Sequence, residues 1–86
     1  MKRNFRLAFN ALEKIGAPVF ENADTERDGN FRISAENNVD ETWASYWAIT
    51  HSDLDNGVNR KITSILRRYG LFSEWQNAAC LSVWEA

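Results

Sequence analysis

The chain has 86 residues, 44% of them hydrophobic and 26% charged, with a formal net charge of −2. That length is enough for one small domain over residues 1–86 and excludes a second core. The balance of apolar and charged residues excludes a wholly disordered chain. No apolar run approaches the roughly 18 to 20 residues needed to span a bilayer, so no membrane partner is expected.

The N-terminus, Met1-Lys2-Arg3-Asn4-Phe5-Arg6, begins basic but lacks the unbroken apolar stretch that follows in a signal peptide. Cys80 is the one cysteine. It cannot form an internal disulfide or build a cysteine-based zinc site alone, and a reducing cytoplasm is the expected home.

The first predicted element is an amphipathic helix over 4–15. Phe5, Ala8, Phe9, Leu12 and Ile15 fall on one face at helical spacing. Asn4 is its expected N-cap. Gly16 can take the left-handed conformation that ends a helix, and Pro18 cannot continue one. Phe20 starts a short extended piece. Asp28-Gly29 is a turn signal, after which 31–36 alternates as a half-buried strand, with Phe31, Ile33 and Ala35 on one side. Residues 40–49 suit either a short helix or a strand; the helix is preferred, capped by Asp40, with Trp43 and Trp47, four apart, on one face. A polar loop over 50–57 follows.

The second main helix is predicted over 58–69, with Asn59 as cap. Its apolar stripe is Val58, Ile62, Ile65, Leu66 and Tyr69, and Gly70 stands just past its end. Arg67 and Arg68 in its last turn complement the helix dipole. Residues 71–76 and 80–85 alternate as two strands joined by Asn77-Ala78-Ala79, a C-terminal hairpin. The expected fold is α+β: a three-stranded, mainly antiparallel sheet with two main helices and one short helix on one face.

Charge is unevenly placed along the chain. Residues 1–20 sum to +3, residues 21–55 to −7 and residues 56–86 to +2. The acidic middle repels phosphate and suits a partner with a basic surface. A small domain needs large side chains to fill its core, so the four tryptophans read first as core; four are still many for one small core, and tryptophan is enriched at binding hot spots.

Catalytic and metal chemistry find little support. Asp24-Thr25-Glu26-Arg27-Asp28-Gly29 matches the start of a calcium loop, but the twelfth position is Ala35 where a bidentate Glu is required. His51-Ser52-Asp53 holds the residue types of a hydrolase triad, yet sequence neighbours do not converge on one reacting atom. Cys80, in a strand, reads as a core thiol. No carboxylate pair stands in an apolar frame, and there is no phosphate-binding glycine loop. No cofactor is expected, and the chain is read as non-enzymatic.

Asn59-Arg60-Lys61-Ile62, Tyr69-Gly70-Leu71-Phe72-Ser73-Glu74-Trp75 and Cys80-Leu81-Ser82-Val83-Trp84-Glu85-Ala86 resemble the tails of small phage and prophage proteins. The resemblance covers residues 59–86, and its motif is structural: helix, glycine cap, hairpin. It implies a mobile-element gene product acting on a host machine, inhibitors of CRISPR effectors being one such class.

The leading expectation is therefore a protein-binding module. Asp24, Glu26, Asp28, Asp40, Glu41, Asp53 and Asp55 would oppose a basic surface, and Trp43, Tyr46 and Trp47 would supply the apolar anchor. One alternative is a nucleic-acid-binding regulator using Arg60, Lys61, Arg67 and Arg68, which the acidic pI of 5.3 disfavours. Another is a structural subunit or homodimer that buries its tryptophans against a twin copy.

Overall fold

A computed structural model describes residues 2–21, 31–39, 41–48, 50 and 53–86. In chain order these form helix α1 (Arg3–Lys14), strands β1 (Val19–Phe20) and β2 (Arg32–Ser34), a 3-10 turn (Tyr46–Ala48), helix α2 (Arg60–Arg68), and strands β3 (Leu71–Asn77) and β4 (Cys80–Glu85). The architecture is α+β. The sheet has four strands in the order β1-β2-β4-β3, and every pairing among them is antiparallel. Three strands were expected. The extra one is β1, two residues long after Pro18, too short to show an alternating pattern of its own. Val19 pairs with Ile33 and Phe20 with Arg32.

Residues opposite one another in the ladders share a face. Ile33 and Leu81 pair, as do Trp75 and Leu81, and Ser73 and Val83, so all five line one side of the sheet. Both helices pack there. Phe5 and Phe9 of α1 set their rings edge-on to Phe31 at centroid distances of 6.4 and 5.3 Å. Ile62 and Leu66 of α2 complete the core beside Leu71, Leu81 and Val83. Cys80 is buried, but it pairs with Ser34 and stands on the opposite side of the sheet. The thiol therefore lies outside the main core.

The helix ends show which local signals operate. Asn59 caps α2, its Oδ1 accepting from the Lys61 amide at 2.9 Å. Asn4 does not cap α1. The cap position is Lys2, whose side chain makes no capping bond, and Asn4 Nδ2 instead donates to the Tyr69 carbonyl at 3.4 Å. Gly16 and Gly70 close the two helices with φ of +87° and +72°, which suits residues without a Cβ. Val58, expected in α2, precedes it and bridges to Ala44 and Asp55.

The helix expected over 40–49 is not formed through Trp43. Ala44 lies in an extended bridge to Val58, and among the described residues of this stretch only Tyr46–Ala48 makes a 3-10 turn. Backbone bonds to a distant segment outcompete the local helix here: Ser45 donates to Gly57 at 2.8 Å and Asn59 to Trp43 at 2.8 Å. Among the described residues, no helix is long and apolar enough to cross a membrane.

Candidate functional site

Trp75, Tyr46 and Trp47 form an aromatic row that runs from the helix-bearing side of the sheet out to solvent. The row starts at Trp75, which is half-buried against the core. Its indole Nε1 donates to the Asn56 carbonyl at 2.9 Å. Asn56 and Gly57 turn the chain with φ of 54° and 83°, a left-handed pair that presents this carbonyl. The Tyr46 ring stands edge-to-face on Trp75 at 5.3 Å and 84°. Trp47 stands edge-to-face on Tyr46 at 5.5 Å and 90°. Trp47 is 85% exposed and Tyr46 39%. Such orthogonal contacts are the favoured aromatic geometry and hold each ring by the next.

Backbone bonds fix the row in place. The 43–48 segment is tied to 55–59 by the Ser45 and Asn59 amides, and Asp55 and Val58 exchange bonds at 2.7 and 3.0 Å. The Ala48 amide closes the 3-10 turn on the Ser45 carbonyl at 3.1 Å. Beside this turn lies a cleft of about 380 Å³ lined by Thr42, Ser45, Ala48, Asp53 and Leu54. An exposed indole face presents negative π density, which suits apolar and cationic groups alike.

Trp43 is a correction to the expected anchor. It is only 7% exposed and belongs to the core, with the Lys61 ammonium 5.9 Å above its ring. A spacing of four puts two residues on one face within a continuous helix or a continuous strand, but not where the chain changes from one conformation to the other between them. The chain is extended at Ala44 and enters the 3-10 turn at Tyr46, and across that change Trp43 faces inward and Trp47 outward. Trp75 is the member that sequence reasoning missed. The alternation of its strand placed it on the inward face with Leu71, and nothing local marks it as a support for an exposed tyrosine.

Two residues of the expected acidic face, Glu41 and Asp55, are paired with cations of α2. Glu41 sits 3.0 Å from Lys61 Nζ and accepts from Asn59 Nδ2 at 2.7 Å. These bonds, that of Lys61 foremost, hold its carboxyl below the ordinary value near 4.5. Asp55 pairs with Arg67 at 3.7 Å, and Glu21 with Arg6 at 3.8 Å. Asp53 lines the cleft beside the 3-10 turn. Asp24, Glu26, Asp28 and Asp40 lie outside the described residues, as do His51 and Ser52 and the calcium-like segment.

The basic residues of α2 divide in the same way. Arg60 and Arg67, seven apart, lie on one ridge of the helix, and Lys61 and Arg68 on another about 100° round it. Arg67 and Lys61 are engaged by Asp55 and Glu41. The four therefore form two ridges of α2. Among the described residues, no group of three or more His, Cys, Asp or Glu side chains could hold a metal ion.

No protein-family model matches the chain, and no curated protein or solved structure matches it.

Proposed function

We propose that this chain is a non-enzymatic protein-binding module whose contact surface centres on Trp47, supported by Tyr46 and Trp75. The observation that carries the reading is the 85% exposure of an indole whose neighbours already hold it in place. Leaving a tryptophan in water forfeits the stabilisation that its burial would bring, and a rigid aromatic loses little entropy when a partner covers it. The charge of −7 over residues 21–55 supports a partner with a basic surface. The phage-type resemblance of residues 59–86 supports seeking that partner among host nucleoprotein complexes, CRISPR effectors included.

The test is affinity capture from bacterial lysate with wild type beside Trp47→Ala, read by mass spectrometry. A basic protein held by wild type and lost by the folded variant supports the reading. Equal retention by both would move the contact surface elsewhere, and empty eluates from both would count against a protein-binding role.

A further inference from the structure

A second surface, which shares no residue with the aromatic row, lies on the outer side of the two helices. α1 and α2 run antiparallel. Asn4 meets the Tyr69 carbonyl at one end. At the other, Ile15 shares an open cleft of about 400 Å³ with Arg60, Lys61, Ser64 and Ile65. Each helix turns its main apolar face to the sheet, yet an apolar strip remains along the seam between them. Leu7 and Ile15 are each 40% exposed, and Ala11 and Ile65 are half-buried between them.

The rim of the strip is cationic. Arg3 and Lys14 flank it on α1, and Lys61 and Arg68 on α2, all four exposed. α2 carries no carboxylate, and the one on α1, Glu13, lies on the far side of that helix. Glu41 and Glu85, at the two ends, are bonded to Lys61 and Lys2.

We propose that this seam docks an acidic amphipathic helix of a partner protein. The groove between two antiparallel helices accepts the ridge of a third. A stripe of apolar residues at i, i+3, i+4 and i+7 would cover Leu7, Ala11, Ile15 and Ile65. Asp and Glu on its flanks would meet Arg3, Lys14, Lys61 and Arg68. α1, with 12 residues, is about 18 Å long, so the docked helix has about three turns. The charge selects this occupant over two others. A second copy of the chain would set its own cationic helices against these. A nucleic acid would satisfy the cations but leave the apolar strip uncovered.

The experiment is a selection of displayed random peptides of about 16 residues on the full chain. Enriched peptides are then measured by fluorescence anisotropy, beside a labelled duplex DNA of similar length. The expected winners carry Asp and Glu around a helical apolar stripe. Their affinity falls at least about tenfold in Arg68→Glu and in Leu7→Asp, weakens with salt, and is unchanged in Glu74→Gln on the open side of the sheet. Circular dichroism checks that each variant is folded. Enrichment of neutral or basic peptides, no enrichment, or acidic peptides indifferent to Arg68→Glu would overturn the proposal. Binding of the DNA but not the peptides, lost in Arg68→Glu, would overturn it in favour of a nucleic-acid surface.

Discussion

The Trp75 indole and the Asn56 carbonyl, nineteen residues apart, are joined at 2.9 Å, and this bond ties the edge strand β3 to the loop before α2. The aromatic row rests on it. Tyr46 leans on Trp75, and Trp47 on Tyr46. The exposed anchor is therefore only as rigid as a contact made near the end of the hairpin.

Trp75→Phe keeps a ring under Tyr46 and removes the N–H donor, so it should cost about 1 kcal/mol. Trp75→Ala removes the ring as well and should cost about 3 kcal/mol. Urea unfolding followed by circular dichroism measures both. Identical midpoints for wild type and Trp75→Ala would show that the row contributes nothing to the fold.

The two tryptophans four residues apart should separate sharply in stability. Trp47→Ala alters an exposed side chain and should stay within about 0.5 kcal/mol of wild type. Trp43→Ala opens the core and should cost about 3 to 5 kcal/mol. That is a large part of the roughly 4 to 13 kcal/mol expected for a chain this size. Thermal unfolding of the pair decides the matter, and equal losses would contradict the inward and outward placement.

Asn38 organises the loop that delivers Trp43. Its Nδ2 donates to the Ala35 and Ala44 carbonyls at 3.1 and 3.0 Å, and its Oδ1 accepts from the Trp43 amide at 2.8 Å. Asn38→Ala should cost about 2 kcal/mol, since several backbone groups lose a partner together. Asn38→Asp keeps the acceptor and loses both donors, so it should fall between Ala and wild type. Urea midpoints give the order, and a loss in Asp equal to that in Ala would assign the stabilisation to the donors alone.

The helices and the hairpin were legible because their signals are local. Apolar residues recur at 3.6 and 2.0, and Gly16 and Gly70 mark the helix ends. β1 was not legible as a strand, since two residues have no period and Val19–Phe20 depends on β2 for its bonds. The helix preferred through Trp43 does not form because the conformation at 43–45 is set by Asn38 and by bonds to Gly57, Val58 and Asn59, which no window of neighbouring letters contains. At the candidate site, Tyr46 and Trp47 could be named from composition, whereas Trp75 joins them only through the sheet register. The charge blocks are plain along the chain, but folding sets Arg6, Lys61 and Arg67 against Glu21, Glu41 and Asp55.

Glu41 supplies the pH dependence that can be assigned to one group. The Lys61 ammonium and the Asn59 amide favour its ionised form, so its folded value lies below the ordinary one near 4.5. As pH falls, the unfolded chain takes up this proton first. The stabilisation is therefore complete above the ordinary carboxylate value and is lost as pH falls through the lowered folded value. Glu41→Gln keeps an acceptor for Asn59 and removes the titration, so its melting temperature should lie below wild type at neutral pH and converge with it in acid. Asn59→Asp should keep the α2 cap and raise the Glu41 value, because a second carboxylate replaces the amide donor. Melting curves between roughly pH 3 and 6 test both variants. Parallel wild-type and Glu41→Gln curves across that range would remove Glu41 from the acid response.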